Sequence, residues 1–193
     1  MLGLAIAASA QSTIQQRFDL ALNFDGSPQS ATINGFNPAL GTLTAVRIRT
    51  FVRAAAELKV ENTSDMMAVG RARFTGGVNL QIGLITPIYL HYTGFETKGR
   101  EMILSAFDGT EDGMGTSGRT PSFTASQGNM TQLTDPTLLA LISASPTVTI
   151  DATLGHQLGW TYFNGQSDRP WPSMELTGSG PTSVVVTYVY LLP

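Results

Sequence analysis

The chain has 193 residues, which is enough for one domain with a sizeable hydrophobic core. Only 13% of the residues are charged, the formal net charge is −3, and cysteine is absent. These values exclude disulfides and thiolate-based metal or catalytic sites, and they leave no overall positive field that would attract nucleic acid.

The first ten residues form an uncharged segment that ends in small side chains. Residues 2–8 are apolar, and Ala8-Ser9-Ala10 before Gln11 has the small-x-small form of a signal peptidase site. We interpret residues 1–10 as the remnant of a signal peptide, which predicts an exported protein whose single domain spans residues 11–193. The alternative is a short buried strand or helix at the domain edge. No stretch of the sequence is long and apolar enough to predict a transmembrane segment.

A long alternating segment in the first third of the chain carries three arginines. Arg47, Arg49 and Arg53 fall on one face of a predicted strand because side chains alternate with period two. The alternation continues with Glu57 and Glu61, and pairing between the two halves of the segment would give the arginines acidic cross-strand neighbours. Lysine clusters are absent. We therefore interpret the arginines as the solvated face of a sheet rather than as a nucleic-acid site.

Most other segments also have the pattern of strands, and one has the pattern of a helix. Strand-like segments recur at residues 13–24, 78–82, 147–153 and 155–163, separated by glycine and proline turns. Thr134 or Asp135 can cap a short helix that has Pro136 in its first turn and Pro146 beyond its end. The pattern predicts an all-β fold, an antiparallel, jelly-roll-like β-sandwich with one short helix.

The strongest strand signal lies near the end of the chain. Residues 183–192 are rich in valine and tyrosine and carry no charge. A strand of this composition at a sheet edge pairs readily with other chains, which would predict a homo-oligomer or a fibre. The alternative is a central strand that closes the sandwich.

Four stretches of the sequence resemble the choice-of-anchor E domain of bacterial surface proteins. FNPALGTLTAVRIR at residues 36–49 is similar to the early signature of that family, and LKVENTS at residues 58–64 is similar to its next strand. DPTLLALI at residues 135–142 and SVVVTYVYLLP at residues 183–193 resemble its short helix and its closing strand. The resemblance implies an extracellular or cell-surface β-sandwich, a structural or adhesive matrix module without catalytic residues.

Three carboxylates occur together in one glycine-rich stretch. Asp108, Glu111 and Asp112 supply oxygen ligands of the kind that calcium prefers, although their spacing does not match the EF-hand loop. Calcium is therefore the one cofactor that the sequence suggests. A solvated acidic loop is the alternative.

Three aromatic residues favour a different partner. Trp160 and Tyr162 fall on the same face of a predicted strand, and Trp171 follows soon after. Exposed together, these rings would form a stacking platform for surface glycans, whereas buried rings would belong to the core. A carbohydrate-binding module is thus the alternative to a structural or adhesive one.

The sequence offers few residues for catalysis. His91 and His156 are the only histidines, and a metal site built on them would need a third ligand that we do not identify. The Gly-x-Ser-x-Gly motif of a hydrolase is also absent. We therefore expect no enzymatic activity.

Overall fold

The computed structural model describes residues 10–83, 88–96, 99–163 and 170–193, and it gives only the backbone of residues 88–96. Residues 1–9 of the predicted signal segment and the side chain of His91 lie outside this description. In the described part, the strands are β1 (Gln11–Asn23), β2 (Gln29–Asn34), β3 (Thr42–Glu61), β4 (Ala68–Gly83), β5 (Ile88–Glu96), β6 (Arg100–Leu104), β7 (Gly118–Arg119), β8 (Ser122–Leu133), β9 (Thr147–Tyr162) and β10 (Ser173–Leu191). One α-helix, α1 (Pro136–Ala144), and a 3₁₀ turn at Pro38–Leu40 accompany them.

Two antiparallel sheets pack against each other and confirm the predicted all-β sandwich. Sheet A has the order β1-β10-β3, and β7 and β8 both pair with the remaining edge of β3. Sheet B has the order β2-β9-β4, with β5 and β6 on the remaining edge of β4. Without the short β6 and β7, strands that follow each other in sequence mostly alternate between the sheets. This connectivity is that of a jelly roll.

The arginine-bearing segment is one continuous strand, β3, of 20 residues. The two halves of this segment therefore do not pair with each other. Ala54, Ala55 and Ala56 join the halves, and none of them favours a turn. Instead β3 runs beside β10 along almost its whole length, from Glu61 opposite Ser173 to Thr42 opposite Leu191.

The valine-rich strand β10 is central in sheet A. It pairs with β1 on one side, from Gln11 opposite Leu191 to Asn23 opposite Ser179, and with β3 on the other side. Both edges of the valine-rich residues 183–191 are therefore occupied by strands of the same chain. The central-strand alternative is correct for this segment, and self-association through an exposed edge of residues 183–191 is excluded.

The hydrophobic core lies between the two sheets and takes its side chains from both. Three buried aromatic rings meet in it, where the Phe74 ring lies edge to face at 5.8 Å from Phe24 and at 5.5 Å from Phe123. The other large side chains that are fully buried include Leu22, Ile48, Leu58, Leu80, Ile82, Leu104, Ile142, Ile150, Leu154 and Tyr188. Each such side chain contributes about 1.5–3 kcal/mol on burial, so this layer is the main source of stability.

The single helix closes one end of the sandwich. Asp135 is its N-cap, because the Asp135 carboxylate accepts a hydrogen bond from the backbone N–H of Leu138 at 2.9 Å, and Pro136 occupies the first turn as predicted. Leu138, Leu139 and Ile142 are buried and belong to the core. Among the described residues, no helix is long and apolar enough to cross a membrane.

A side-chain bridge joins the two sheets at their β1 and β2 edges. The Gln16 side chain donates a hydrogen bond to the Asn34 carbonyl at 2.7 Å and accepts one from the Asn34 N–H at 3.0 Å. The amide group of Gln16 thus satisfies the backbone of β2 as a neighbouring strand would. This bridge covers one hydrogen-bonding position at the β2 edge of sheet B.

Candidate functional site

The outer face of sheet A carries a group of exposed basic and apolar side chains, which we name the arginine face. Its members are Arg17 of β1, Arg47, Arg49, Phe51 and Arg53 of β3, and Met130 of β8. The register aligns them, because Val185 of β10 lies opposite both Arg17 and Arg49, and Arg49 lies opposite Met130. The period-two prediction that the three β3 arginines share one face is borne out.

The cross-strand neighbours of the central arginines are uncharged. Thr187 and Gln132 lie opposite Arg47, and the Arg47 Nε donates a hydrogen bond to the Gln132 side-chain oxygen at 2.9 Å. Ser126 lies opposite Arg53 on β8. The acidic neighbours that pairing of the two halves would have supplied do not lie opposite these arginines, because β3 pairs with β10 and β8 instead of with itself.

One carboxylate lies at the margin of the arginine face. Asp19 is 3.5 Å from the Arg17 guanidinium, which is also within 3.2 Å of the Ser183 hydroxyl. The Ser183 hydroxyl donates a hydrogen bond to Asp19, and this bond, with the smaller effect of Arg17, holds the pKa of Asp19 below its usual value. Arg17 is thus paired with an acid on its own strand.

The other three arginines form no ion pair with any described residue. Arg53 lies over the Phe51 ring, with its guanidinium carbon 5.5 Å from the ring centroid. Arg47 and Arg53 are six residues apart on one extended strand, so the row is about 20 Å long. Guanidinium groups bind carboxylate, sulfate and phosphate in a bidentate geometry. The arginine face can therefore bind a partner that carries several negative charges.

A shallow depression of about 450 Å³ adjoins the Arg53 end of the arginine face. Its walls come from three neighbouring strands and include Arg53, Ala55, Thr124, Ser126 and Pro181. Most of the lining side chains are small, and the lining is more apolar than polar. A side chain from a partner could enter here while its neighbours contact the arginines.

The three carboxylates of the predicted calcium site lie in a loop that connects β6 to β7, residues 105–117, which we name the acidic loop. All three side chains are exposed. Asp108 accepts a hydrogen bond from the Thr110 N–H at 3.1 Å, and Asp112 accepts one from the Met114 N–H at 2.8 Å. Among the described residues, no three His, Asp or Glu side chains come together in a way that could hold a metal ion. The structure thus does not join Asp108, Glu111 and Asp112 into one ligand set.

A buried glutamate fixes the acidic loop from below. Glu61, at the end of β3, is only 1% exposed, and its carboxylate accepts a hydrogen bond from the Gly113 N–H at 2.8 Å. Gly118 lies opposite Glu61, and a Cβ atom at Gly118 would lie 2.4 Å from the carboxylate. Backbone hydrogen bonds from Asn62 to Ser117 and from Phe107 to Ser64 hold the loop further. The loop is therefore anchored to the end of β3 and to the residues that follow it.

Sequence reasoning missed the role of Glu61. The alternation of β3 places Glu61 on the same side as the exposed Glu57, which predicts a solvated side chain. Glu61 is buried because the acidic loop covers this end of the sheet. No residue near Glu61 in the sequence signals that covering.

The three aromatic residues proposed to bind glycans do not form one exposed platform. Trp160 is only 4% exposed and packs against Gly70, where a Cβ atom would lie 2.6 Å from the indole ring. Tyr162 is partly buried, contacts the Trp160 ring at 5.8 Å and donates a hydrogen bond to the Pro170 carbonyl. Trp171 is 56% exposed. Of the three, only Trp171 offers an open ring for stacking.

His156 shows no arrangement typical of a catalytic histidine. It is exposed, and its ring lies edge to face at 5.7 Å from Phe24. Within the described residues, no serine hydroxyl or carboxylate is hydrogen-bonded to it. The geometry around His156 is that of a side chain packed at the rim of the core.

Comparison with known proteins gives little further information. No family model and no curated protein matches the chain. Among solved structures, the Gx strain of infectious bursal disease virus aligns over the whole chain at 12% identity with a TM-score of 0.23, and T=1 particles derived from that virus align at 12% identity with a TM-score of 0.18. The chain spans 42% and 44% of those proteins. Overlap at these scores is too weak to support a shared function.

Proposed function

We propose that this protein is an exported, non-catalytic structural or adhesive module that acts through the arginine face. The observation that carries the proposal is that Arg47, Arg49 and Arg53 are exposed in one row and form no ion pair with the described residues. The described cross-strand neighbours of this row are neutral, and the carboxylate at the margin of the face, Asp19, is paired with Arg17.

The rigid position of β3 favours binding at several points. β3 is paired with β10 on one side and with β8 on the other, so its outward side chains start from a fixed backbone. A single exposed ion pair contributes only about 0.2–1 kcal/mol. A partner must therefore contact several arginines at once, which is how extended structural or adhesive contacts gain strength.

The resemblance to choice-of-anchor E domains supports the extracellular part of the proposal. The signature at residues 36–49 has a structural role in this chain: Asn37 caps the 3₁₀ turn through the Ala39 N–H at 3.0 Å. Gly41 has a φ of +143°, and a Cβ atom there would lie 1.9 Å from the Leu191 carbonyl oxygen. The signature thus sets the start of β3 beside the end of β10. Mass spectrometry of the secreted protein should find a new N-terminus near Gln11.

A retention experiment tests the arginine face. The variant Arg47→Gln/Arg49→Gln/Arg53→Gln should elute from dextran sulfate beads at lower salt than the unmodified protein, because exposed ion pairs are screened by salt. The matched control is Arg71→Gln/Arg73→Gln/Arg100→Gln, which removes the same charge from sheet B. Equal elution of the two triple variants would contradict the proposal. Retention on a neutral glycan matrix that is lost in Trp171→Ala would favour the carbohydrate-binding alternative.

A further inference from the structure

We infer that the arginine face binds the acidic loop of a second copy of this chain. The inference rests on the proposed function, since it names the partner of the same face. It follows from the charge, the apolar side chains, the rigidity and the relative position of the two surfaces.

The two surfaces are complementary in charge. The acidic loop presents Asp108, Glu111 and Asp112, all exposed and without an ion pair to any described residue. Among the described residues, the cationic side chains that contact the loop bind its backbone: the Lys59 ammonium donates to the Glu111 carbonyl at 2.6 Å, and the Arg119 guanidinium donates to the Gly115 carbonyl at 2.6 Å. Three unpaired carboxylates on one surface therefore match three unpaired guanidinium groups on the other.

Apolar side chains accompany the charges on both surfaces. Phe107 is 37% exposed and Met114 is 67% exposed on the acidic loop. Phe51 is 41% exposed and Met130 is 61% exposed on the arginine face. Aromatic, methionine and arginine side chains are enriched at protein interfaces. Contact between the two surfaces would bury all four side chains together with the charged pairs.

Both surfaces are already ordered before they meet. The acidic loop is held by Glu61 and by the Ser105 N–H, which donates to the Thr116 carbonyl at 2.9 Å. The arginine face is built on paired strands. Ordered surfaces lose less conformational entropy on association than flexible ones.

The acidic loop and the arginine face of one copy are too far apart to meet. The loop is attached where β3 ends at Glu61, and Arg53 lies eight residues earlier on the same extended strand. The loop also contacts β3 at Lys59, six residues from Arg53, so the separation is about 20–26 Å. Each copy therefore offers one unused loop and one unused face, and a contact of this kind is head to tail. Repetition of such a contact builds a ring if the rotation closes and a filament if it does not.

Light scattering on four variants tests the inference. The loop variant Asp108→Asn/Asp112→Asn removes two charges but keeps both side-chain acceptors, and its matched control is Asp25→Asn/Asp151→Asn. The face variant is Arg47→Gln/Arg49→Gln, and its control is Arg71→Gln/Arg73→Gln. The unmodified protein and both controls should show a mass that rises with concentration and falls with added salt. The loop variant and the face variant should each associate at least about tenfold more weakly than the unmodified protein.

Mixing the two variants gives the decisive result. The face variant keeps an intact acidic loop, and the loop variant keeps an intact arginine face, so an equimolar mixture should form a one-to-one dimer and nothing larger. A mixture that associates no better than either variant alone would overturn the inference. If circular dichroism shows that the face variant does not fold, the single substitution Arg49→Gln replaces it, because Arg49 makes no hydrogen bond to a described residue.

The outcomes separate this inference from the proposed function. An unmodified protein that stays monomeric at every concentration and salt level would overturn the inference. If the triple arginine variant still lost its retention on dextran sulfate, the arginine face would remain the binding surface for a different partner. Binding of a single-stranded DNA oligonucleotide by the monomer, lost in the face variant, would assign the face to nucleic acid and would also overturn the inference.

Discussion

Replacement of Tyr188 by phenylalanine should change how the stability of the domain depends on pH. Tyr188 of β10 is 2% exposed, and its hydroxyl donates a hydrogen bond to the Asn34 carbonyl at 2.8 Å. Burial raises the pKa of Tyr188 from its ordinary value of 10.0 to about 12. The Asn34 carbonyl also accepts a hydrogen bond from Gln16, so it keeps a partner in the variant. At pH 8 the loss should therefore be small, about 0.5–1 kcal/mol.

The effect of Tyr188→Phe on the free energy of unfolding changes sign at high pH. Below pH 10 both the folded and the unfolded protein keep the Tyr188 proton, so its contribution is fully present. Between pH 10 and about 12 the unfolded state releases the proton while the folded state retains it, and stability is lost. The shift corresponds to ~2.7 kcal/mol at full strength. Partial solvation of the hydroxyl reduces this to about 1–2 kcal/mol. Tyr188→Phe should therefore be at least as stable as the unmodified protein near pH 12.

Urea unfolding followed by the fluorescence of the buried Trp160 measures this crossover. Tyr190→Phe is the control, because it removes a hydroxyl from the same strand that has no hydrogen bond to a described residue. At pH 8, Tyr190→Phe should not show the loss of about 0.5–1 kcal/mol in stability that we expect for Tyr188→Phe, because it removes no such hydrogen bond. A free-energy difference between Tyr188→Phe and the unmodified protein that stays constant from pH 8 to 12 would refute the reasoning.

Three further predictions concern the fold. Asp135→Ala should lower the free energy of unfolding by about 1 kcal/mol because it removes the cap of α1, whereas Asp135→Asn should retain it, as thermal denaturation can show. Gly178→Ala should lower the free energy of unfolding by about 2–4 kcal/mol, because φ is +136° and the new Cβ would lie 2.3 Å from the Ala55 carbonyl oxygen. Gly26→Ala is the control: Gly26 has a φ of +76° but open space around it, so this variant should lose only about 1 kcal/mol. Trp160→Ala should lose about 3–5 kcal/mol in urea unfolding, while Trp171→Ala should stay within about 0.5 kcal/mol, and similar losses would contradict the assigned burial.

Local patterns predicted those features that depend only on neighbouring residues. The common face of Arg47, Arg49 and Arg53 follows from period-two geometry, and it holds whatever the partner strands are. The cap at Asp135 followed by Pro136 likewise depends on a few adjacent residues. The all-β fold was predictable because such local patterns recur along most of the chain.

Features that depend on distant residues could not be predicted. Glu61 is buried by a loop more than 40 residues further along the chain, so the acidic side chain looks solvated in the sequence. Trp160 and Trp171 look alike in the sequence, yet Trp160 packs against Gly70 of a neighbouring strand and Trp171 does not. The neutral neighbours of the arginines come from β8 and β10, which only the three-dimensional pairing identifies.

The pairing of β1 with β10 also determines how this domain would carry mechanical load. Gln11 lies directly opposite Leu191, so the first and the last strand meet at the same end of one antiparallel ladder. A pulling force applied through these two ends acts along the hydrogen bonds, which are perpendicular to the strands. It would therefore break the hydrogen-bonded pairs between β1 and β10 one after another, starting at this end. A force that enters through the arginine face and leaves through the acidic loop would instead run along the covalent backbone of β3 and reach the loop through the two residue pairs of β7 and the Glu61 hydrogen bond.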